Sequence, residues 1–210
     1  MIATRWWWIR HAPVTCHGGR IYGQRDLPAD CADKALFAAL ASRLPAGARW
    51  IVTPLRRTRQ TAEALIAAGA PVPAEMREEP GFLEQHFGDW QGLSHAELAA
   101  LNDGAAHRFW LAPAAVRPPG GESFSEVVAR VAAAIDRISA DTAGGDVVAI
   151  AHGGSIRAAL ALALGLEAET ALRFAIDNCS LTRLDHFAAE GSWRVGAVNL
   201  IARPDAPVSA

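Results

Sequence analysis

Two runs of this sequence end a hydrophobic stretch on a histidine: Trp6-Trp7-Trp8-Ile9-Arg10-His11 and Val147-Val148-Ala149-Ile150-Ala151-His152-Gly153-Gly154. A single histidine in such a place is most often a structural residue satisfied by its neighbours. Two at equivalent positions, one preceded by Arg10 and one followed by paired glycines, point instead to a shared anion site. Gly153 and Gly154 leave backbone N–H groups bare where a helix should begin, and a helix N-terminus attracts negative charge. A third run, Thr53-Pro54-Leu55-Arg56-Arg57-Thr58-Arg59, crowds arginines into a first helical turn. Cations there oppose the helix dipole by roughly 0.3–1 kcal/mol each, and a bound phosphate would offset that through a guanidinium fork. In a fourth run, Phe82 to Gly92, Glu84 lies between Leu83 and Phe87 among aromatics, where partial desolvation suits a carboxyl to proton donation. Glu78 and Asp89 compete for that role. Pro118-Pro-Gly-Gly-Glu-Ser123 reads as a rigid turn leading into a helix N-cap.

The elements that must carry these residues follow from periodicity. Trp6–Ile9, Trp50–Val52 and Asp146–Ala151 are short apolar runs of the kind that form buried strands, and Leu181–Leu184 and Trp193–Leu200 look like two closing strands. Helical spacing predicts helices over Lys34–Leu44, about Leu55–Ala68, Ser94–Leu101 with Ser94 and Glu97 as a capping box, Phe124 to about Ser139, and Ile156–Leu164. Residues 71–92 read as irregular. Strands apolar on both faces, alternating with helices, predict an α/β fold: a mainly parallel sheet with helices on both faces, three layers in all. We expect one domain over residues 1–203 and a frayed, disordered tail over 204–210. Ligands of such sheets bind beyond the carboxyl ends of the strands, where Arg10-His11, Thr53 and His152 are expected. The Trp6–Trp8 triplet is read as sheet packing rather than ligand stacking.

Composition narrows the partners. A chain of 210 residues that is 51% hydrophobic can bury a sizeable core, and a net charge of −2 carries no nucleic-acid footprint. Lys34 is the only lysine. The cysteines Cys16, Cys31 and Cys179 are odd in number and lack CxxC spacing, which argues against a disulfide framework or zinc site and fits a reducing cytoplasm. No apolar stretch approaches the roughly 20 residues of a membrane span. His86, His95, His107 and His186 show no metal-ligand spacing, no carboxylate cluster offers Mg²⁺ a seat, and no cofactor is expected.

Taken in order, Arg10-His11, TPLRRTRQTA (53–62), LEQHFGDWQG (83–92), PGGES (119–123) and AHGGSIRAAL (151–160) resemble the histidine phosphatase superfamily, also called phosphoglycerate-mutase-like, over roughly residues 5 to 200. The resemblance implies the phosphoglycerate-mutase-like fold and a site made of His11 as nucleophile, Arg10, Arg57 and His152 as phosphate-pocket residues, and Glu84 as acid. Gly153, Thr15, Tyr22 and Gly23 are the further residues expected at the substrate. Departures stand beside it. Ala12, Val14 and His17 occupy positions where the family usually has Gly, Ser/Thr and Asn, so that Thr15 or His17 would have to supply the loop's phosphate contacts. The implied activity is metal-independent hydrolysis of a small phosphorylated metabolite through a phosphohistidine. Arginines beside His11 should favour its neutral form. A mutase-type phosphotransferase is the alternative within the family, but Ser94-His95 replaces the Asn-Lys pair such enzymes carry. A non-catalytic phosphate-binding module is the alternative outside it. A serine hydrolase is excluded by the lack of GxSxG. The wording IYGQRDLPAD, HFGDWQGL and PPGGESF is most similar to α-ribazole-5′-phosphate phosphatases, and Tyr22, Phe87, Trp90 and Trp110 are aromatics that could stack on a flat base. A monomer or homodimer is expected.

Overall fold

The computed structural model describes residues 2–101, 107–142 and 144–202, so the expected tail over 204–210 lies outside the described residues. The strands are β1 (Thr4–Arg10), β2 (Arg49–Val52), β3 (Met76–Glu78), β4 (Gly145–Ala151), β5 (Ser180–Phe187) and β6 (Ser192–Ile201), all but β3 built on the runs expected from sequence. Between them lie helices α1 (Lys34–Ala41), α2 (Arg56–Ala67), α3 (His95–Leu101), α4 (Phe124–Thr142), α5 (Gly153–Leu164) and the single turn α6 (Ala168–Ala171). One sheet carries all six strands in the order β3-β2-β4-β1-β5-β6. Pairings β3-β2, β2-β4 and β4-β1 are parallel, and β1-β5 and β5-β6 are antiparallel.

Side-chain alternation along the strands builds a core on each face. Trp6, Trp8, Val147, Ala149 and Ile51 point into one cluster with α4, α5 and α6, while Ile9, Trp50, Val52, Val148 and Ile150 point into another with α1 and α2. The result is the three-layer α/β/α arrangement. Trp6 and Trp8 stack at 5.3 Å, and Phe82 meets both rings edge-on at 5.8 and 4.7 Å. Phe82 belongs to a 3₁₀ turn, Pro80–Phe82, so residues 71–92, read as irregular, in fact contain β3 and two such turns. None of these pieces exceeds three residues, too short for a periodic signal.

Register matters most for function. Arg10 pairs with Ala151 across β1 and β4, and Ile51 pairs with Ala149 across β2 and β4. The residues that follow, His11, His152 and Thr53, therefore emerge side by side at one edge. The chain leaves β1 toward α1 on one face and leaves β4 toward α5 on the other, so a crevice opens between His11 and His152. This is the switch point at which open α/β sheets bind ligands. Among the described residues no helix is long and apolar enough to cross a membrane.

Replacing the fully buried Trp8 by Ala should remove the stacked partner of both Trp6 and Phe82. We expect a loss of about 3–5 kcal/mol in unfolding free energy, read from urea titration. A loss below about 1 kcal/mol would mean that this cluster does not hold β1 to α4.

Candidate active site

His11 is 1% exposed. Its backbone N–H continues the ladder to the Ala151 carbonyl at 3.0 Å, and Asn178 Nδ2 donates to the His11 carbonyl at 2.8 Å. The ring Nδ1 lies 2.7 Å from the Ala12 carbonyl oxygen. A carbonyl only accepts, so Nδ1 carries the hydrogen and Nε2 keeps its lone pair free. Burial, then the Arg57 and Arg10 guanidiniums, hold the imidazole well below the usual histidine range. His11 is therefore uncharged at neutral pH, with the lone pair of Nε2 available.

His152 sits against it, edge to face, with ring centroids 5.1 Å apart. Burial and Arg57 likewise keep it neutral. Arg57 Nε points at His152 Nδ1 at 3.3 Å, and Thr53 Oγ1 lies 2.9 Å from Nε2. Thr58 Oγ1 reaches the Leu55 carbonyl at 2.9 Å and Thr53 Oγ1 at 3.2 Å. A guanidinium only donates and a carbonyl only accepts, so this chain has one direction: Arg57 to Nδ1, Nε2–H to Thr53, Thr53 to Thr58, Thr58 to Leu55. Both ring nitrogens of His152 are thus engaged, and in this state it orients Arg57 instead of offering an N–H to an anion.

The cations are held by backbone oxygens. Arg57, fully buried, donates Nη1 to the Arg25 carbonyl at 2.8 Å and Nη2 to the Gly23 carbonyl at 2.7 Å, with its guanidinium 5.2 Å over the Tyr22 ring. Arg10 donates Nη1 to the Ile176 carbonyl at 2.5 Å, and its buried Nε has no partner among the described residues. A buried guanidinium donor without an acceptor is costly unless an anion completes it. Of the other basic residues in the run, Arg56 pairs with Asp26 and Arg59 with Glu78, both at the surface.

Glu84 closes the opposite side. Gln24 Nε2 and Arg130 Nη2 fix its backbone carbonyl at 2.8 and 3.1 Å, and the N–H groups of Gly154 and Gln85 each donate to Oε1 at 3.0 Å. The Gly154 N–H expected to face an anion is therefore spent on this carboxylate. A Cβ at Gly154 would stand 2.3 Å from Oε1, so only glycine permits the approach. Glu78 and Asp89 are exposed.

A cavity of about 560 Å³ opens from Arg10 and Glu84, walled by Tyr22, Gly23, Phe87 and Trp110, with His17 and His95 among its lining. Trp90 is instead buried in a small cluster with Ile21, Phe87 and Leu98. Thr15 is exposed and stands outside the cavity wall, so of the two loop residues expected to replace missing contacts only His17 reaches it. Gly153 begins α5 beside Arg10. Sequence reasoning missed Arg157, Asn178, Arg25 and Ile176. Arg157 alone carried a signal: it lies one helical turn beyond Gly153.

The two neutral histidines set the pH dependence of stability. Unfolded, each titrates near ~6.5, whereas folded they stay uncharged well below that. Below pH ~6.5 the unfolded chain takes up protons that the folded one refuses, so stability falls as pH drops and is retained above it. Unfolding free energies from urea titration should decline between pH 7.5 and 5.5 by up to about 1.4 kcal/mol per pH unit per histidine, and less in His11→Asn. A flat profile in both proteins would refute neutral burial.

Comparison with known proteins gives the family. The sequence profile described as "Histidine phosphatase superfamily (branch 1)" matches residues 6–200. A bifunctional protein of Mycobacterium tuberculosis is 35% identical over 149 residues, covering 71% of this chain, which spans only 40% of that protein's length. A glucosyl-3-phosphoglycerate phosphatase of M. tuberculosis is 32% identical over 228 residues, covering 99% of this chain and 100% of that one. The solved structure of a putative α-ribazole-5′-phosphate phosphatase from Escherichia coli superposes with a TM-score of 0.77, covering 95% of this chain and 98% of that one, at 21% identity, a likeness of fold. With its arginine-flanked, uncharged His11 set at the switch point of this sheet, the chain belongs to the histidine phosphatase superfamily.

Proposed function

We propose that this protein is a metal-independent phosphatase that hydrolyses a small phosphate monoester through a phosphohistidine on His11. The observation that carries the reading is the free, uncharged Nε2 of His11 beside the buried Arg57 guanidinium and the half-buried Arg10, whose buried Nε–H is unsatisfied. Nε2 attacks phosphorus, the N–P bond forms and the ester P–O bond breaks. Glu84, as general acid, gives a proton to the departing oxygen. A water then attacks phosphorus, Glu84 takes its proton back, the N–P bond breaks, and inorganic phosphate leaves with His11 neutral again. The Nδ1–H bond to the Ala12 carbonyl steadies the imidazolium while it is phosphorylated. Arg10 and Arg57 supply the charge stabilisation that phosphoryl transfer demands, and the scheme calls for no metal ion. His152 contributes by accepting from Arg57 Nε and so fixing that guanidinium.

Similarity along the full length to a glucosyl-3-phosphoglycerate phosphatase supports phosphatase over mutase chemistry. For the organic part, the aromatic wall of Tyr22, Phe87 and Trp110 suits a leaving group with apolar or flat surface. α-Ribazole 5′-phosphate, suggested by the wording of residues 21–30 and 86–93, therefore belongs in a substrate panel beside glucosyl-3-phosphoglycerate.

Turnover of p-nitrophenyl phosphate should persist in EDTA and vanish in His11→Ala with the fold intact by circular dichroism. Residual activity within about tenfold of wild type would reject the covalent scheme. Glu84→Gln should slow alkyl phosphates by about 100-fold or more, the usual worth of a general acid, yet slow p-nitrophenyl phosphate far less, because nitrophenolate leaves without a proton. Equal losses on both esters would remove Glu84 from the acid role.

A further inference from the structure

The turn Pro118–Ser123 leads into α4, and it also grips the segment that carries Glu84. Main chain meets main chain there: the Asp89 N–H donates to the Pro119 carbonyl and the Glu122 N–H to the His86 carbonyl, both at 2.9 Å. A Cβ at Gly121 would stand 2.3 Å from the His86 carbonyl oxygen, so glycine is what admits the approach. The Glu122 residue then closes on the same segment. Its Oε1 accepts the His86 N–H at 2.9 Å, and its backbone carbonyl accepts Gln85 Nε2 at 2.8 Å.

Arg130, in the second turn of α4, completes the grip. Its Nε and Nη2 bond Glu122 at two points, 2.9 Å to Oε2 and 2.8 Å to Oε1, and both side chains are mostly buried. Nη1 donates to the Gly81 carbonyl at 2.7 Å, and Nη2 also reaches the Glu84 carbonyl at 3.1 Å. Gly81 belongs to the 3₁₀ turn whose Phe82 packs on Trp6 and Trp8, so one guanidinium ties the Glu84 backbone to the core under β1. Glu84 and Phe87 line the cavity beside Arg10, whereas Leu83 and His86 line a separate, open one of about 420 Å³. Polar bonds rather than apolar packing therefore back the segment on that side. A mostly buried ion pair is a poor source of stability, because desolvation offsets the attraction. What this one supplies is position, and proton transfer requires donor and acceptor within hydrogen-bond reach.

We propose that Glu122 and Arg130 are positioning residues for proton transfer, holding the Glu84 carboxyl within reach of the departing oxygen. The proposal rests on the hydrolase reading, and its test separates the two. Phenyl and p-nitrophenyl phosphate present the same ring and differ at the leaving oxygen. Phenol, titrating near ~10, needs a proton at neutral pH, and nitrophenolate does not. Arg130→Met should lower kcat for phenyl phosphate by about tenfold or more, a large part of what a general acid is worth, with KM little changed. It should slow p-nitrophenyl phosphate by less than about threefold. Arg130→Lys, which keeps the charge without the fork, should recover part of the loss. Adding Arg130→Met to Glu84→Gln should slow phenyl phosphate by no more than about twofold further, because the group being positioned is already gone. Equal loss on both esters overturns the proposal, since a damaged fold or a disturbed phosphoryl pocket gives that result. Losses that multiply in the double variant overturn it too. If Arg130→Met fails to fold, Glu122→Gln decides, because it keeps the size and breaks the pair. The same selective loss on phenyl phosphate then supports the proposal, and any other pattern overturns it. A wild-type enzyme silent toward both esters overturns the hydrolase reading and this assignment with it, whereas turnover that Arg130→Met leaves unselective overturns the assignment alone.

Discussion

The site depends on keeping guanidinium groups charged in a nearly dry interior without giving them carboxylates. An Arg–carboxylate pair would be the ordinary way to bury such a charge, but it would also neutralise it. Here the partners are backbone carbonyls: Gly23 and Arg25 for Arg57, Ile176 for Arg10, Phe174 for Arg157. A carbonyl dipole steadies a cation and fixes its plane while leaving the positive potential directed into the crevice. That field, with burial, is what holds His11 and His152 uncharged. The neutral imidazole and the positive potential beside it are therefore consequences of one arrangement.

This explains why two stretches without regular structure lie close to the chemistry. Residues 20–26 and 172–179 contribute the side chains of Tyr22, Gln24 and Asn178, and their carbonyls aim the cations. Each is tied down from outside. Ile21 exchanges backbone bonds with Gly92 and Leu93, Gln24 N–H donates to Gln91 Oε1 at 2.7 Å, and the Cys179 N–H reaches the Arg10 carbonyl at 2.9 Å. Asp177 and Asn199 bond reciprocally at 2.6 and 2.8 Å, which fastens the second stretch to β6. The antiparallel strands β5 and β6 thus contribute to the site indirectly, as the anchor for the carbonyls behind Arg10 and Arg157.

Much of this was legible in the sequence, and the boundary of legibility has a physical cause. Apolar runs ending in Arg10-His11, Thr53 and His152 announced parallel strands whose tips converge, and the register does bring those tips together. The capping box was visible because its chemistry is in side chains: Ser94 and Glu97 exchange bonds at 2.7 and 3.2 Å. What stayed hidden is carried by main chain. Nothing in the residue types at 23, 25, 174 and 176 marks a carbonyl that will hold an arginine, and β3 is too short to show a period. The start of α5 was placed three residues late because Gly153 and Gly154 read as loop. The helix begins at once since the His152 N–H is taken by Ser155 Oγ at 3.1 Å, a local bond that glycine propensity does not foretell.

The departures after His11 take on a consistent meaning in this frame. Ala12 is fully buried, its N–H donated to Thr61 Oγ1 at 2.9 Å, and Val14 is 6% exposed. These two residues face the protein interior and have no polar atom to give a phosphate. Only His17 returns to the cavity, its ring 5.4 Å from that of Tyr22. A loop that packs as core is stiff, and it fixes the Ala12 carbonyl against which His11 orients. Polar atoms that could meet an anion are then offered from the opposite side of the crevice, by Arg57 from α2. The packed loop orients the His11 imidazole, and the arginine side supplies the positive potential beside it.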